Sequence, residues 1–155
     1  MPDSTIRVVI DTNLWVSMAL GSRAVSEQMA GVLDNPSISL FTSAELLDEL
    51  TDTLAKPKLQ RYLSKTRTQH LFDLIWLKGQ LISPTTSARF CRDPKDDFII
   101  NLALTAQAQY IITGDDDLLT LTPIGTIEVV TIADFVQKLN SQHPQCPPCR
   151  YRTGL

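Results

Sequence analysis

The sequence predicts an α/β domain with a mainly parallel sheet covered by helices on both faces. Three observations lead there. Short apolar runs of strand length recur along the chain, longer stretches with helical spacing separate them, and the order is strand, helices, strand, helices, strand. Connections of that length suit crossovers between parallel strands, whose two faces are both buried.

The elements follow in order. "RVVI" at 7–10 reads as a buried strand, and the stretch 14–33 as helix, broken near Gly21. "SISLF" at 37–41 is the second strand, followed by a helix over 43–55 whose Leu46, Leu47, Leu50 and Leu54 form one apolar stripe. A long helix is expected over 59–81 and another over 94–108, where Asp93 before Pro94 has the pattern of an N-cap with proline at the first helical position. "YIIT" at 110–113 and "IEVV" at 127–130 are the remaining strands, and a helix over 132–140 completes the domain. The domain is expected to span 1–142, with 143–155 a proline-containing, disordered tail.

Composition sets limits. A chain of 155 residues supports one domain with a real core, and 43% hydrophobic with 20% charged residues excludes collagen-like or wholly disordered chains. The formal charge of −3 denies the protein a global basic field, so a nucleic-acid partner needs a local patch or metal ions. No run reaches the roughly 18 apolar residues of a membrane span, and Asp11 and Asn13 interrupt the apolar N-terminal segment, so the expected location is the cytoplasm. Cys91, Cys146 and Cys149 are too few for a disulfide framework, and the "CPPC" pair lacks the second pair of a zinc ribbon.

The acids carry the chemistry. Ligands of parallel sheets bind beyond the carboxyl ends of the strands, where Asp11 follows "RVVI" and Asp115 follows "YIIT" by one glycine. On the helical wheel of 43–55, Glu49 lies nearest the edge of the leucine stripe, while Glu45, Asp48 and Asp52 sit farther toward solvent. On that of 94–108, Asp96 borders the main apolar face and Asp97 points nearly opposite; Asp96 is favoured and Asp97 is the alternative. Capping accounts for one carboxylate per helix start, as for Asp11 or for Asp115, Asp116 and Asp117 before "DLLTL", but leaves Glu49 unexplained. Four converging carboxylates without matching cations repel one another, which a divalent ion offsets. Hard oxygen ligands without His or Cys select Mg²⁺ or Mn²⁺. Such a site suits metal-assisted hydrolysis of a phosphodiester backbone.

The motifs "VVIDTNLWVS", "TSAELLDELTDTLAKPK", "RDPKDDFIINLALTAQAQYIITGDDDLL" and "VVTIADFV" together resemble the PIN-domain family, specifically its branch of toxins from toxin–antitoxin systems, over about residues 5–140. The resemblance implies a three-layer α/β/α sandwich and a Mg²⁺- or Mn²⁺-dependent ribonuclease. By motif, Asp11, Glu49, Asp96 and Asp115 match the family's acidic quartet, Asp117 an accessory acid, and Asn13 and Thr113 supporting polar positions. It also implies a cognate antitoxin and a homodimer. Asp115 is expected to face the cation and Asp116 solvent, with Gly114 allowing a sharp turn.

For RNA contact the run 56–67 offers Lys56, Lys58, Arg61, Lys65 and Arg67 with Tyr62 among them, and Arg89 and Arg92 precede the third acid. A solvated helix face accounts for that run equally well. The rival function is a non-catalytic module of the same fold that binds RNA or protein.

Overall fold

The computed structural model describes residues 5–84 and 94–142, with side-chain positions for all but 94–96 and 142 of these. Five parallel strands form one sheet in the order β3-β2-β1-β4-β5. β1 (Ile6–Ile10) is central, and Val8, Val9 and Ile10 are fully buried, as a strand covered on both faces must be. Val9 sits opposite Phe41 of β2 (Ile38–Thr42) on one side and Ile111 of β4 (Tyr110–Ile112) on the other. β5 (Glu128–Val130) closes one edge against β4.

Between β1 and β2 run α1 (Thr12–Ala19) and α2 (Arg23–Leu33), separated by a turn in which Gly21 takes φ +91°. That left-handed backbone is why the expected helix breaks there. α3 (Ala44–Leu54) buries Leu46, Leu50 and Leu54 at a strict four-residue spacing, and Ser43 caps it by accepting from Leu46 N at 3.2 Å.

The helix expected over 59–81 is three elements: α4 (Pro57–Gln60), α5 (Lys65–Lys78) and a fifth strand, β3 (Gly79–Leu81). Ser64 starts α5 afresh by accepting from Arg67 N at 3.0 Å, a capping signal inside an apparently continuous helical pattern. Gly79 then passes from helix to strand without a loop. A Cβ there would stand 2.8 Å from the Ile75 carbonyl oxygen, so the close approach requires glycine.

α6 (Pro94–Ala106) leads into β4, α7 (Asp116–Leu119) follows β4, and α8 (Ile132–Gln142) ends the described chain. α6 rests on β1, β2 and β4, while α2 packs on β2 and α8. Right-handed crossovers place α1 to α5 over one face and α6 over the other, giving the three-layer α/β/α sandwich. No described helix is long and apolar enough to cross a membrane.

Candidate active site at the carboxyl edge of the sheet

The sheet reverses its build direction at β1: the chain moves outward through β2 and β3, then crosses to β4 on the other side. The crevice beyond the ends of β1 and β4 is therefore the topological switch point, the standard ligand position of such sheets. Asp11 and Asp115 flank it. The backbone ladder extends one residue past each strand, with Asp11 N donating to Ile112 O at 2.9 Å and Thr113 N to Val130 O at 2.9 Å.

Thr113, fully buried, ties the two acids together. Its hydroxyl donates to Asp11 Oδ2 at 2.7 Å and accepts from Asp115 N at 3.0 Å. The other Asp11 oxygen, Oδ1, accepts from Thr12 N at 2.7 Å and caps α1. Burial pushes the Asp11 carboxyl above the ordinary aspartate range; the bonds from Thr113 and Thr12 pull it back, and the neighbouring charge of Asp115 adds to the rise. Asp115 is half-buried and caps α7 by accepting from Asp117 N at 2.9 Å. Capping and site placement thus coincide in both residues.

Glu49 is half-buried while Glu45, Asp48 and Asp52 are exposed, as the wheel predicts. The helices carrying Glu49 and Asp97 touch each other. Asp97 does not point away: it is buried, 7% exposed, and Asn101 one turn further on is buried too. The wheel misplaces Asp97 because α6 is enclosed on nearly every side by Ile99, Ile100, Leu102, Ala103 and Ala106, so no face is left for solvent. Glu49, Asp97 and Asn101 are all engaged in contacts of their own. The side chain of Asp96, and Arg89, Arg92, Asp93, Cys91, Cys146, Cys149 and the 143–155 tail, lie outside the described residues.

Asn13, Asp116 and Asp117 are exposed. Gly114 is not in a left-handed conformation, so no glycine-specific turn carries Asp115 to the rim; a Cβ at 114 would meet nothing within 4 Å. Lys56, Lys58, Arg61, Tyr62 and Lys65 are exposed along α4 and the start of α5, with the Arg61 guanidinium 6.0 Å from the Tyr62 ring centre.

Two residues that the motif analysis passed over belong to this region. Thr12 is buried and its hydroxyl has no hydrogen-bond partner, immediately beside Asp11. Asn101 is the single amide inside an otherwise apolar helical stretch, a signal visible in the sequence at four residues from Asp97.

A family model described as "PIN domain" matches residues 7–117. The chain belongs to the PIN-domain family. This PIN domain is 32% identical over 117 residues to the uncharacterized protein MJ1680 of Methanocaldococcus jannaschii, covering 75% of each chain. Its fold is similar to a chain of VapBC2 from Rickettsia felis, solved bound to a DNA fragment from their promoter, with a TM-score of 0.53 at 13% identity, covering 80% of this chain and 97% of that one.

The donor set of the PIN domain's crevice fits a hard cation. Carboxylates and hydroxyls line it, and a buried carboxyl held above its usual range beside a second acid lacks a countercharge: the ion pairs among the described residues, Lys78–Asp34 and Lys138–Glu128, do not involve them. Among the described residues, no three acids, histidines or cysteines stand close enough to enclose an ion.

Proposed function

We propose that the protein is a Mg²⁺- or Mn²⁺-dependent endoribonuclease acting as the toxin of a toxin–antitoxin pair. The observation that supports it best is the pairing of Asp11 and Asp115 through Thr113 at the switch point of the sheet. Asp11, Glu49 and Asp115 would hold the cation, with Asp117 as an accessory acid and the first turn of α6 supplying the fourth carboxylate. Of the two candidates there, Asp96 and Asp97, the burial of Asp97 favours bringing it into the comparison.

When bound, the cation supplies a lowered pKa for an attacking water and neutralises charge on the phosphodiester. The residues do the rest. Thr113 fixes the Asp11 rotamer from one side and the Thr12 amide from the other, so that the carboxylate is pre-aimed. Thr113 also anchors the Asp115 backbone, keeping the spacing of the two acids constant. Asn13, exposed one turn of chain beyond Asp11, is placed to donate to substrate. Lys56, Lys58 and Arg61, with Arg92 outside the described residues, would position the RNA backbone, and Tyr62 offers a stacking face for an unpaired base.

The toxin role rests on the family and on the kinship in fold to a chain of the VapBC2 complex. It brings an antitoxin and a homodimer as expected partners. Purified protein is incubated with a pool of structured and single-stranded RNA, with and without Mg²⁺ or Mn²⁺, beside an Asp11→Asn/Asp115→Asn variant. Metal-dependent cleavage lost in the variant is the expected result. A folded wild type that binds RNA without cutting any of it favours the non-catalytic module.

A further inference from the structure

We propose that the cleft between the α1–α2 turn and α5 is a remote RNA subsite, holding a backbone phosphate of the strand whose scissile bond lies at Asp11. It rests on the nuclease reading above. The cleft measures about 410 Å³; Met18, Ala19 and Leu71 form its apolar floor, and Arg23, Arg67 and His70 its cationic rim. No acidic side chain lines it. The ion pairs among the described residues use neither arginine. The Arg67 guanidinium lies directly on the turn: a Cβ at Gly21 would stand 2.9 Å from Nη1. The start of α2 is already satisfied, since Ser22 Oγ accepts from Val25 N, so the positive charge facing the cleft comes from the side chains.

α1 joins this cleft to the acids. It begins at its Asp11 cap and ends at Ala19 on the cleft wall, and its eight residues span about 12 Å. Asn13, Ser17 and Gly21 follow one another at four-residue spacing on one side of it, a track of small and polar groups from Asp11 to Arg67. Twelve ångströms corresponds to roughly three or four stacked nucleotides at about 3.4 Å each. RNA is favoured over an acidic peptide because Arg67 also ends the exposed run of Lys56, Lys58, Arg61 and Lys65 with Tyr62 among them, within a protein of net charge −3.

The test measures binding of fluorescent single-stranded RNAs of two, four, six and eight nucleotides by anisotropy, with Ca²⁺ replacing Mg²⁺. Wild type is compared with Arg23→Ala/Arg67→Ala and with Lys138→Ala as a charge-loss control, each checked for unchanged melting. The wild type should gain affinity sharply between two and six nucleotides. In the double variant that gain disappears, about tenfold or more at six nucleotides, the salt slope falls by about two, and the dinucleotide is held as before. Equal loss at every length, no loss, or a preference of the cleft for an acidic glutamate-rich peptide overturns the proposal. Intact metal-dependent cleavage with length-independent binding removes the subsite alone; absence of any RNA binding and cleavage removes the nuclease reading with it.

Discussion

Thr113→Val is the most informative single change in this protein. Valine keeps the volume and the β-branched shape required at a fully buried strand end, and removes only the hydroxyl. Two bonds go: donation to the Asp11 carboxylate at 2.7 Å and acceptance from Asp115 N at 3.0 Å. A hydrogen bond to a charged group contributes about 1.5–3 kcal/mol, whereas the Asp115 amide, only partly buried, recovers most of its loss from water. The expected destabilisation is therefore about 2–3 kcal/mol, which lowers the melting temperature of a domain this size by roughly 5–10 °C. The sign of its pH dependence follows from the same bond. Donation from Thr113 lowers the Asp11 pKa by favouring the ionised form, so losing it costs little where Asp11 is protonated and the full amount above its raised folded pKa. Thermal melts of wild type, Thr113→Val and Thr113→Ser across pH, in EDTA and in excess Mg²⁺, would measure this. Serine should restore most of the stability, and valine should also weaken the Mg²⁺-induced rise in melting temperature. A valine variant as stable as wild type, with an unchanged response to Mg²⁺, would refute the idea that Thr113 organises the two acids.

Other changes test separate links. Asp11→Asn removes a buried charge whose folded pKa is raised; in EDTA it should melt above wild type at neutral pH, a gain that shrinks as pH falls through the raised folded pKa and vanishes below the unfolded value of 3.8, while the Mg²⁺ response and RNA cleavage are lost. Ser43→Ala strips the cap of α3 and should cost about 1 kcal/mol in denaturant unfolding, with a rise in KM or metal requirement if Glu49 is displaced. Asp96→Asn and Asp97→Asn, assayed side by side for Mg²⁺-dependent cleavage, identify the α6 acid of the site by which change costs the greater activity at matched stability. Leu50→Ala, at a fully buried position of α3, should destabilise by about 2–5 kcal/mol without a pH signature, providing the reference for a purely structural loss.

Much of this was legible in the primary structure because strand and helix periods differ so plainly. β1, β2, β4 and β5 fall within one or two residues of the apolar runs, and Glu49 sits where the leucine stripe of α3 places it. Two features resisted. β3 is three residues, Gly-Gln-Leu, with neither β-branched content nor alternation, and its pairing with β2 comes from the close approach that Gly79 allows. Asp97 was misdirected because a wheel presumes one wet face, and α6 lacks one. The hydroxyl bridge of Thr113 was expected only as a supporting role, since side-chain bonds between residues 102 apart leave no local pattern.

The junction of α5 and β3 has a mechanical consequence. With no linker between Lys78 and Gly79, the helix cannot swing without peeling the edge strand from β2. The carboxyl end of α5 is in effect welded to the sheet, and any articulation of the basic arm falls to the short span 61–64 between α4 and α5. Extra residues should be accommodated in that span and rejected at 78–79, so lengthened relatives of this arm are expected to grow on the Tyr62 side, changing the reach of the exposed cations while the sheet that seats the acids stays the same.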